Sequence, residues 1–370
     1  MTNYHFKFRP YQRRFRQPLK TSHGEWKVRE GIIINLTDET GRIGWGEIAP
    51  IPWFGSETLE EALNFCQKLP SEITPTDIFS IPARLPACQF GFESACWGME
   101  SRKDSSYLTP PAPFPLKGRG ENCSPFLTGE GLKENCPPLL AGEGLGERLN
   151  QDYWAKSVKS EMQNLNSQIS YSYLLPPGEK ALQSWQKAWD EGYRTFKWKI
   201  GVGSVAEEIT IFKQLVDMLP TSAKLRLDAN GGLNQQECDR WLKICDNAGI
   251  VEFLEQPLPP QEFFTLLTMC QDYDTPIALD ESVATIQQLE DCYEKGWRGI
   301  FVIKVAIAGS PKRLIKFCQD YHIDTVFSSV FETAIGRQMA LHLASKLSHR
   351  PVGFGVNHWF SDDDDGIDFR

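Results

Sequence analysis

The chain has 370 residues and a formal net charge of −9, from 39 Lys and Arg against 48 Asp and Glu. This length predicts about two domains. The acidic balance argues against a broad nucleic-acid-binding surface, which requires clustered basic residues, and the sequence contains no apolar run approaching the ~18 residues of a membrane-spanning helix.

Two features of the sequence bear on the compartment of the protein. The N-terminal segment MTNYHFKFRPYQRRF has basic residues but no apolar run after them, so it does not resemble a secretory signal. The 10 cysteines are irregularly spaced and include no Cys-x-x-Cys pair, which is typical of reduced thiols. We therefore expect a cytoplasmic protein. The 6 histidines form no metal-binding pattern, so a histidine-based zinc site is not expected.

The N-terminal part of the chain mixes strand and helix patterns. Residues 24–50 predict two strands joined by a turn at residues 38–41. The segment ETLEEALNFCQKL predicts a helix because its apolar residues recur at helical spacing. A second helix with an apolar stripe is expected from about residue 86 to 102. These elements predict a small α+β domain over residues 1–102.

A segment rich in Pro and Gly follows this domain. Residues 110–147 contain seven Pro and seven Gly, and they repeat the motif GEGL in two units, SPFLTGEGLKENC and PPLLAGEGLGE. Such a composition cannot bury a core of its own. We therefore predict a disordered, low-complexity insertion over residues 103–150, and we favour a tolerated surface insertion over a partner-binding loop.

The pattern changes to alternation after about residue 166. Eight short strand-like runs are separated by helix-length segments, which indicates a parallel sheet. The runs are SYSYLL, TFKWKIG, KLRLDAN, VEFLEQP, PIALDES, GIFVIKVA, DTVFSSV and VGFG. Their regular spacing and the absence of a glycine-rich phosphate fingerprint favour a closed barrel over residues 167–356. Residues 357–370 are expected to pack on the first domain and to end in an acidic tail.

Polar residues follow the apolar runs at the point where each strand is expected to end. In a (β/α) barrel, active sites lie at these ends. The residues are, in chain order, Lys197, Lys199, Asp228, Asn230, Glu255, Asp280, Lys304, Ser328 and Ser329. One acid at a strand end usually only caps a helix. Asp228, Glu255 and Asp280 stand at three consecutive ends, where they would repel one another unless a cation lay between them. Oxygen ligands favour Mg²⁺, with Mn²⁺ as an alternative.

Lysines flank this group of acids. Lys197 and Lys199 are two residues apart and share one face of a strand. Each is expected to disfavour the charge of the other and to lower the pKa of at least one of them, which suits a general base. Lys304 is expected across the barrel mouth. A Schiff-base lysine is an alternative, but it would not need three carboxylates. The acids and lysines together suit removal of a proton α to a carboxylate that a metal holds.

The motifs resemble the enolase superfamily, in its muconate-lactonizing subgroup. They occur in the family's order as K-x-K, D-A-N, E-Q-P, D-E-S and I-K. The resemblance implies an α/β fold, a (β/α)7β-type modified TIM barrel with an α+β capping domain. It implies Asp228, Glu255 and Asp280 as Mg²⁺ ligands, Lys199 as the base and Lys304 on the opposite face.

Within this subgroup, four segments resemble the o-succinylbenzoate synthase family: residues 46–62, 92–99, 226–230 and 327–336. This implies a lyase that dehydrates 2-succinyl-6-hydroxy-2,4-cyclohexadiene-1-carboxylate to o-succinylbenzoate in menaquinone or phylloquinone biosynthesis. Lys199 would act as base and acid, Lys304 would act electrostatically, and Lys197 would tune Lys199. The expected partner is this small carboxylate, with no nucleic acid and no membrane.

Several residues are weaker candidates for contacts to the substrate. Asn230 and Ser329 stand at strand ends, and Trp53 and Phe54 suit an apolar lid. Arg226 could hold a substrate carboxylate or could equally make a structural ion pair. The same catalytic set leaves other functions open. These are racemisation of an N-acylamino acid or epimerisation of a dipeptide, muconate-type cycloisomerisation, and non-catalytic binding.

Overall fold

The computed structural model describes residues 3–21, 24–100, 169–356 and 359–360. These residues form a four-stranded antiparallel sheet with helices, followed by a seven-stranded parallel sheet with helices. The predicted insertion at residues 103–150 lies outside the described residues. No helix within the described ranges combines the length and the apolar character needed to cross a membrane.

The antiparallel sheet has the order β3-β2-β1-β4. Its strands are β1 (Tyr4–Thr21), β2 (Gly24–Asp38), β3 (Ile43–Ile48) and β4 (Glu72–Ile73). The predicted turn at residues 38–41 is confirmed, since the Gly41 amide donates to the Asp38 carbonyl at 2.9 Å. The sequence analysis did not predict β1. Its signal is the alternation of Tyr4, Phe6 and Phe8 with exposed or half-exposed polar residues.

Three helices cover this sheet: α1 (Leu59–Lys68), α2 (Pro75–Phe79) and α3 (Pro86–Glu100). Thr58 begins α1 with a capping box that includes Glu61. Helix α3 lies directly on β3 because glycines line the contact. A Cβ atom at Gly46 would stand 1.9 Å from the Gly91 carbonyl oxygen, and one at Gly44 would stand 2.0 Å from the Ala95 carbonyl oxygen. We refer to this part of the molecule, residues 3–21 and 24–100, as the cap.

The parallel sheet contains its strands in sequence order, from β5 to β11. They are β5 (Ser172–Leu174), β6 (Thr195–Lys199), β7 (Lys224–Asp228), β8 (Val251–Glu255), β9 (Ile277–Leu279), β10 (Ile300–Ile303) and β11 (Thr325–Phe327). Val352 pairs with Tyr171 beside β5, and Gly353 pairs with Ser328 after β11. The eighth predicted run, VGFG, therefore closes the barrel with two bridges instead of a full strand. The predicted (β/α)7β-type barrel with an α+β cap is confirmed.

Helices connect the barrel strands along the outside. They are α4 (Ala181–Asp190), α5 (Val205–Met218), α6 (Gln235–Ala248), α7 (Phe263–Asp272), α8 (Ile286–Glu294), α9 (Val305–Ala308), α10 (Pro311–Tyr321) and α11 (Ala334–Leu347). Inside the barrel, apolar side chains from neighbouring strands pack into a separate core. Its members are Phe253, Ala278, Ile300, Val302 and Val326. This filled interior leaves the strand ends as the place for a site.

Only Trp359 and Phe360 of the predicted tail at 357–370 are described. The ring of Phe360 stacks on Phe15 of β1, with centroids 4.8 Å apart. The guanidinium of Arg13 lies over the same ring, 3.8 Å from its centroid. This part of the C-terminal segment thus lies against the cap.

Candidate active site

Five consecutive strand ends carry the predicted site residues to one rim of the barrel. Lys199 at the end of β6 is in register with Asp228 at the end of β7, and Asp228 is in register with Glu255 at the end of β8. Asp280 follows β9 directly, and Lys304 follows β10. Because neighbouring strands lie about 4.8 Å apart, these side chains form a continuous row.

The ammonium group of Lys197 lies between two of the predicted metal ligands. Its Nζ is 2.7 Å from Oε1 of Glu255 and 2.8 Å from Oδ2 of Asp228. Burial opposes the charged form of Lys197, but the negative charges of Asp228, Glu255 and Asp280 outweigh it and raise the pKa of this lysine. Lys197 is therefore not a lysine whose pKa is lowered, because it faces three carboxylates.

Lys304 stands four strands away from the K-x-K pair and contacts both barrel and cap. Its Nζ donates a hydrogen bond to Oδ1 of Asp280. The same ammonium group lies over the ring of Phe54, 3.8 Å from the ring centroid, which is a cation–π distance. Lys304 therefore places a cation, bordered by an aromatic ring, on the side of the rim opposite Lys199.

The three carboxylates differ in pKa because the lysines lie unequally among them. Burial, and after it the charge of Asp228, raises the pKa of Glu255 to about 8. Burial also raises the pKa of Asp280 to about 6 against the opposing charge of Lys304. For Asp228, the charge and hydrogen bond of Lys197 outweigh burial, so its pKa is lowered. The lysines thus neutralise only part of the buried negative charge at this rim.

Lys199 differs from the other two lysines in its contacts. Its side chain is half-buried, and within the ranges that the structure describes it has no hydrogen bond or ion pair. Its charge still acts on Asp228, where it lowers the pKa together with the stronger effect of Lys197. Its amine is therefore held beside the acids and remains accessible to a bound molecule.

Asn230 connects the row of acids to a residue that the sequence analysis did not single out. Its backbone is left-handed, with φ of 45°, and its amide N–H donates to Oδ1 of Asp228 at 3.1 Å. Its side-chain Nδ2 donates to Oε1 of Glu281 at 3.0 Å. Burial raises the pKa of Glu281, and its Oε2 is buried without a partner among the described residues. Its place inside the D-E-S motif was the signal for this fourth carboxylate.

Gln256, from the E-Q-P motif, fixes the loop that carries Asp280. Its Oε1 accepts from the amides of Asp280 at 2.9 Å and of Ser282 at 3.1 Å, and its Nε2 donates to the Ser282 hydroxyl at 2.9 Å. The side chain is fully buried, and the backbone is left-handed with φ of 36°. The Gln and Ser of these two motifs therefore hold the acids in place and do not face a ligand.

The chemistry of the donors at the rim suits a divalent cation. Asp228, Glu255 and Asp280 offer carboxylate oxygens, the ligand type that Mg²⁺ prefers, and they carry negative charge that such an ion would neutralise. In the part of the chain that the structure describes, no three acidic, histidine or cysteine side chains stand close enough together to form a complete cation site. The ammonium groups of Lys197 and Lys304 lie against these oxygens instead. The ligand assignment stays a prediction.

The two predicted lid aromatics lie on a short turn over Pro52–Phe54. Phe54 reaches the rim through its contact with Lys304. Trp53 is 40% exposed, and its ring meets Trp26 of β2 edge-on at 5.0 Å. Gly55 follows at φ of 113°, where an added Cβ would stand 3.2 Å from the Ala284 side chain. The lid thus rests on the loop after Asp280.

Ser329 lies in the loop after β11, where a buried acid engages its hydroxyl. The hydroxyl is 2.9 Å from Oε2 and 3.0 Å from Oε1 of Glu332, and it accepts from the Phe331 amide at 2.9 Å. The amide of Val330 also donates to Glu332, at 2.7 Å. Glu332 was not predicted from the sequence. Its buried carboxylate stabilises the loop by accepting hydrogen bonds from Ser329 and Val330.

The structure favours the ion-pair alternative for Arg226, and its role as a substrate contact stays a prediction. Its Nε donates to Oε2 of Glu252 at 2.7 Å, and its terminal nitrogen donates to the Pro351 carbonyl at 2.7 Å. Its guanidinium also lies 4.8 Å from the centroid of the Phe253 ring, in the barrel interior. Because Arg226 precedes Asp228 by two residues, it stands below the row of acids. It makes the structural ion pair that was the other alternative.

Two family models match the chain, and together they cover both of its parts. The one described as "Enolase C-terminal domain-like" matches residues 180–366. The one described as "MenC, N-terminal domain" matches residues 10–99, within the cap.

Individual relatives support the same assignment. The o-succinylbenzoate synthase of Thermosynechococcus vestitus is 36% identical over 361 residues, which are 96% of this chain and 94% of that protein. The L-Ala-D/L-Glu epimerase of Bacillus subtilis is 22% identical over 89% of this chain and 81% of that protein. Among solved structures, o-succinylbenzoate synthase from Thermosynechococcus elongatus BP-1, complexed with Mg in its active site, superposes with a TM-score of 0.75. It has 35% identity and covers 96% of this chain and 94% of that chain. The chain therefore belongs to the enolase superfamily and, within it, to the o-succinylbenzoate synthase family of lyases.

Proposed function

We propose that the protein is a Mg²⁺-dependent o-succinylbenzoate synthase. It would dehydrate 2-succinyl-6-hydroxy-2,4-cyclohexadiene-1-carboxylate to o-succinylbenzoate in menaquinone or phylloquinone biosynthesis. The observation that carries this proposal is the 36% identity to an o-succinylbenzoate synthase across cap and barrel together. An epimerase on the same scaffold reaches only 22%. The cap supports dehydration in particular, because the barrel residues alone suit either reaction.

Asp228, Glu255 and Asp280 would hold the Mg²⁺ ion. When bound, the ion would stabilise the negative charge that develops on the substrate carboxylate as the α-proton leaves. Lys197 lies against Asp228 and Glu255 and would keep these two carboxylates oriented beside Lys199. Asn230 would support Asp228 from its other side through the backbone amide.

Lys199 would perform both proton transfers. Its amine takes the proton from the ring carbon that bears the carboxylate, and the C–H bond breaks. The same ammonium then gives that proton to the departing hydroxyl, so the C–O bond breaks and water leaves. The ring becomes aromatic, which supplies driving force. One general acid–base group can contribute about 10²- to 10⁴-fold to such a rate.

Lys304 would act on the substrate through its charge. It stands on the opposite side of the rim from Lys199, and its position is set by Asp280 and by the Phe54 ring. A cation there favours negative charge on the reacting ring and carboxylate. Trp53 and Phe54 would close the mouth against water, and Asn230 and Ser329 remain the proposed polar contacts to the substrate.

The test is an assay of the purified chain with this substrate and Mg²⁺, with product formation followed by chromatography and mass spectrometry. We expect o-succinylbenzoate, no product after treatment with a chelator, and recovery when Mg²⁺ is returned. An N-acylamino acid and a dipeptide are offered in parallel, because Lys199 and Lys304 on opposite sides could also support racemisation. Racemisation or epimerisation without dehydration would refute the proposal.

A further inference from the structure

A buried carboxylate of the cap lies at the start of a barrel helix. Glu47 of β3 is fully buried. Both of its oxygens are 2.9 Å from the Thr333 amide, and Oε2 is 2.9 Å from the Gly336 amide. Thr333 is the residue that caps α11. Tyr11 of β1 donates its hydroxyl to Oε1 of Glu47, so two cap strands meet the helix at this point.

The arrangement is electrostatically favourable. The first amides of a helix have no partner within the helix, and the N-terminus carries partial positive charge. Charge-assisted hydrogen bonds of this kind are about twice as strong as neutral ones. The barrel also makes room for the carboxylate, because a Cβ atom at Gly336 would stand 2.8 Å from Oε2 of Glu47.

Helix α11 begins at the end of the loop that carries Ser329. Within this loop, residues 328–333, Glu332 holds Ser329 and Val330. Phe331 has a left-handed backbone with φ of 62°, and its ring packs edge-on against Phe15 and Trp26 of the cap, at 5.3 and 5.6 Å. Glu47 therefore fixes the far end of a loop whose other end is the eighth-strand closure at Ser328.

We propose that Glu47 is a positioning residue for substrate binding. Through Thr333 and Gly336 it sets the place of the loop at residues 328–333, and with it the side of the mouth formed by Ser329 and Phe331. The catalytic lysines stand on other strands and do not depend on this loop. The effect on substrate binding rests on the proposed function, whereas the effect on the loop does not.

The cap contains a matched acid for comparison. Glu93 of α3 lies at the start of another barrel helix, α10, where it accepts from the Ser310 hydroxyl at 2.8 Å and the Lys312 amide at 3.2 Å. It is also buried. Glu93 thus joins cap to barrel by the same chemistry, but the helix it meets does not follow the loop at residues 328–333.

The experiment compares Glu47→Gln with Glu93→Gln in the full chain. Gln keeps one acceptor oxygen but places an amide N–H₂ group against the donors of α11. For Glu47→Gln we expect KM to rise about tenfold or more with kcat within about threefold, because loss of the charge-assisted contact to α11 displaces the loop that helps to bind the substrate. For Glu93→Gln we expect both constants within about threefold. Equal changes in the two variants, or a fall in kcat alone for Glu47→Gln, would overturn the proposal.

Hydrogen–deuterium exchange provides a readout that needs no substrate. Peptides covering residues 325–337 should exchange faster in Glu47→Gln than in the unaltered protein, and they should be unchanged in Glu93→Gln. Unchanged exchange in Glu47→Gln refutes the positioning role even if the protein proves to have another activity. If Glu47→Gln does not fold, Tyr11→Phe removes one donor to Glu47 and keeps the carboxylate. Tyr11→Phe should raise KM and speed the exchange of residues 325–337 by smaller amounts than expected for Glu47→Gln. No change in either quantity would contradict the proposal.

Discussion

The ammonium group of Lys304 lies over the ring of Phe54, with Nζ 3.8 Å from the ring centroid. Lys304 belongs to the barrel and Phe54 to the cap, so the position of the lysine is set from both parts of the molecule. Lys304 also donates a hydrogen bond to Asp280, a residue that we propose as a metal ligand. If a metal ion bound the Asp280 carboxylate, the Phe54 ring would still hold the ammonium group of Lys304 in place.

Substitution of Phe54 by Leu should lower kcat/KM on the dehydration substrate by about 2- to 30-fold. This corresponds to a cation–π energy of ~0.5 to 2 kcal/mol. Because Leu keeps the lid apolar, the fall in kcat/KM would measure the loss of the aromatic ring next to Lys304. The matched control is Phe79→Leu, because Phe79 is exposed and faces Lys312 at 5.0 Å on the surface. Equal effects of the two variants on steady-state kinetics would contradict this role of Phe54.

Substitution of Lys199 by Ala should abolish most turnover and leave metal binding intact. We expect kcat to fall at least about 10²-fold, since the proposed general acid–base group is removed. Mg²⁺ affinity, measured by calorimetry, should stay within about threefold because the carboxylates remain. Lys187→Ala is the control, since Lys187 is 84% exposed on α4. Retained turnover in Lys199→Ala would assign the proton transfers to another residue.

The row of site residues could be predicted because its signals are local. Asp228 and Glu255 are the last residues of short strands and Asp280 directly follows one, and the barrel brings strand ends together whatever the loops contain. Phe196 and Trp198, which alternate with Lys197 and Lys199 along β6, are fully buried, as expected for a strand with the two lysines on one face. The order of these motifs therefore predicted both the barrel fold and the row of site residues at its rim.

Contacts between distant segments could not be predicted in this way. Glu47 and Thr333 are 286 residues apart, and nothing in the sequence near either residue indicates the other. The pKa of Lys197 depended on which carboxylates its side chain reaches, which the spacing within K-x-K does not determine. Arg226 shares a strand face with Asp228, but it lies two residues below the rim, where its guanidinium reaches Glu252. The sequence does not show which partner an arginine at this depth meets.

The ion pair of Arg226 should contribute to stability and not to substrate binding. Arg226→Ala leaves the mostly buried carboxylate of Glu252 with Arg350 as its remaining cation, at 2.6 Å. We expect the free energy of unfolding to fall by about 3 kcal/mol, the usual cost of breaking a buried pair. Arg313→Ala, in an exposed pair with Glu290, should cost below about 1 kcal/mol. Urea unfolding measures both. A large rise in KM for folded Arg226→Ala would restore the substrate-binding interpretation.

The close approach of α3 to β3 should make two glycines of the cap respond in opposite directions to Ala. Gly46→Ala places a Cβ atom 1.9 Å from the Gly91 carbonyl oxygen. We expect it to reduce the free energy of unfolding by about 3 kcal/mol or more, because backbone must move in a packed core. Gly98, in the same helix α3, has no atom within 4 Å of an added Cβ. Gly98→Ala should therefore stabilise the protein by up to about 1 kcal/mol, since Ala is the better helix former. Urea unfolding of both variants tests the contact, and a neutral Gly46→Ala would show that α3 does not pack directly on β3 in solution.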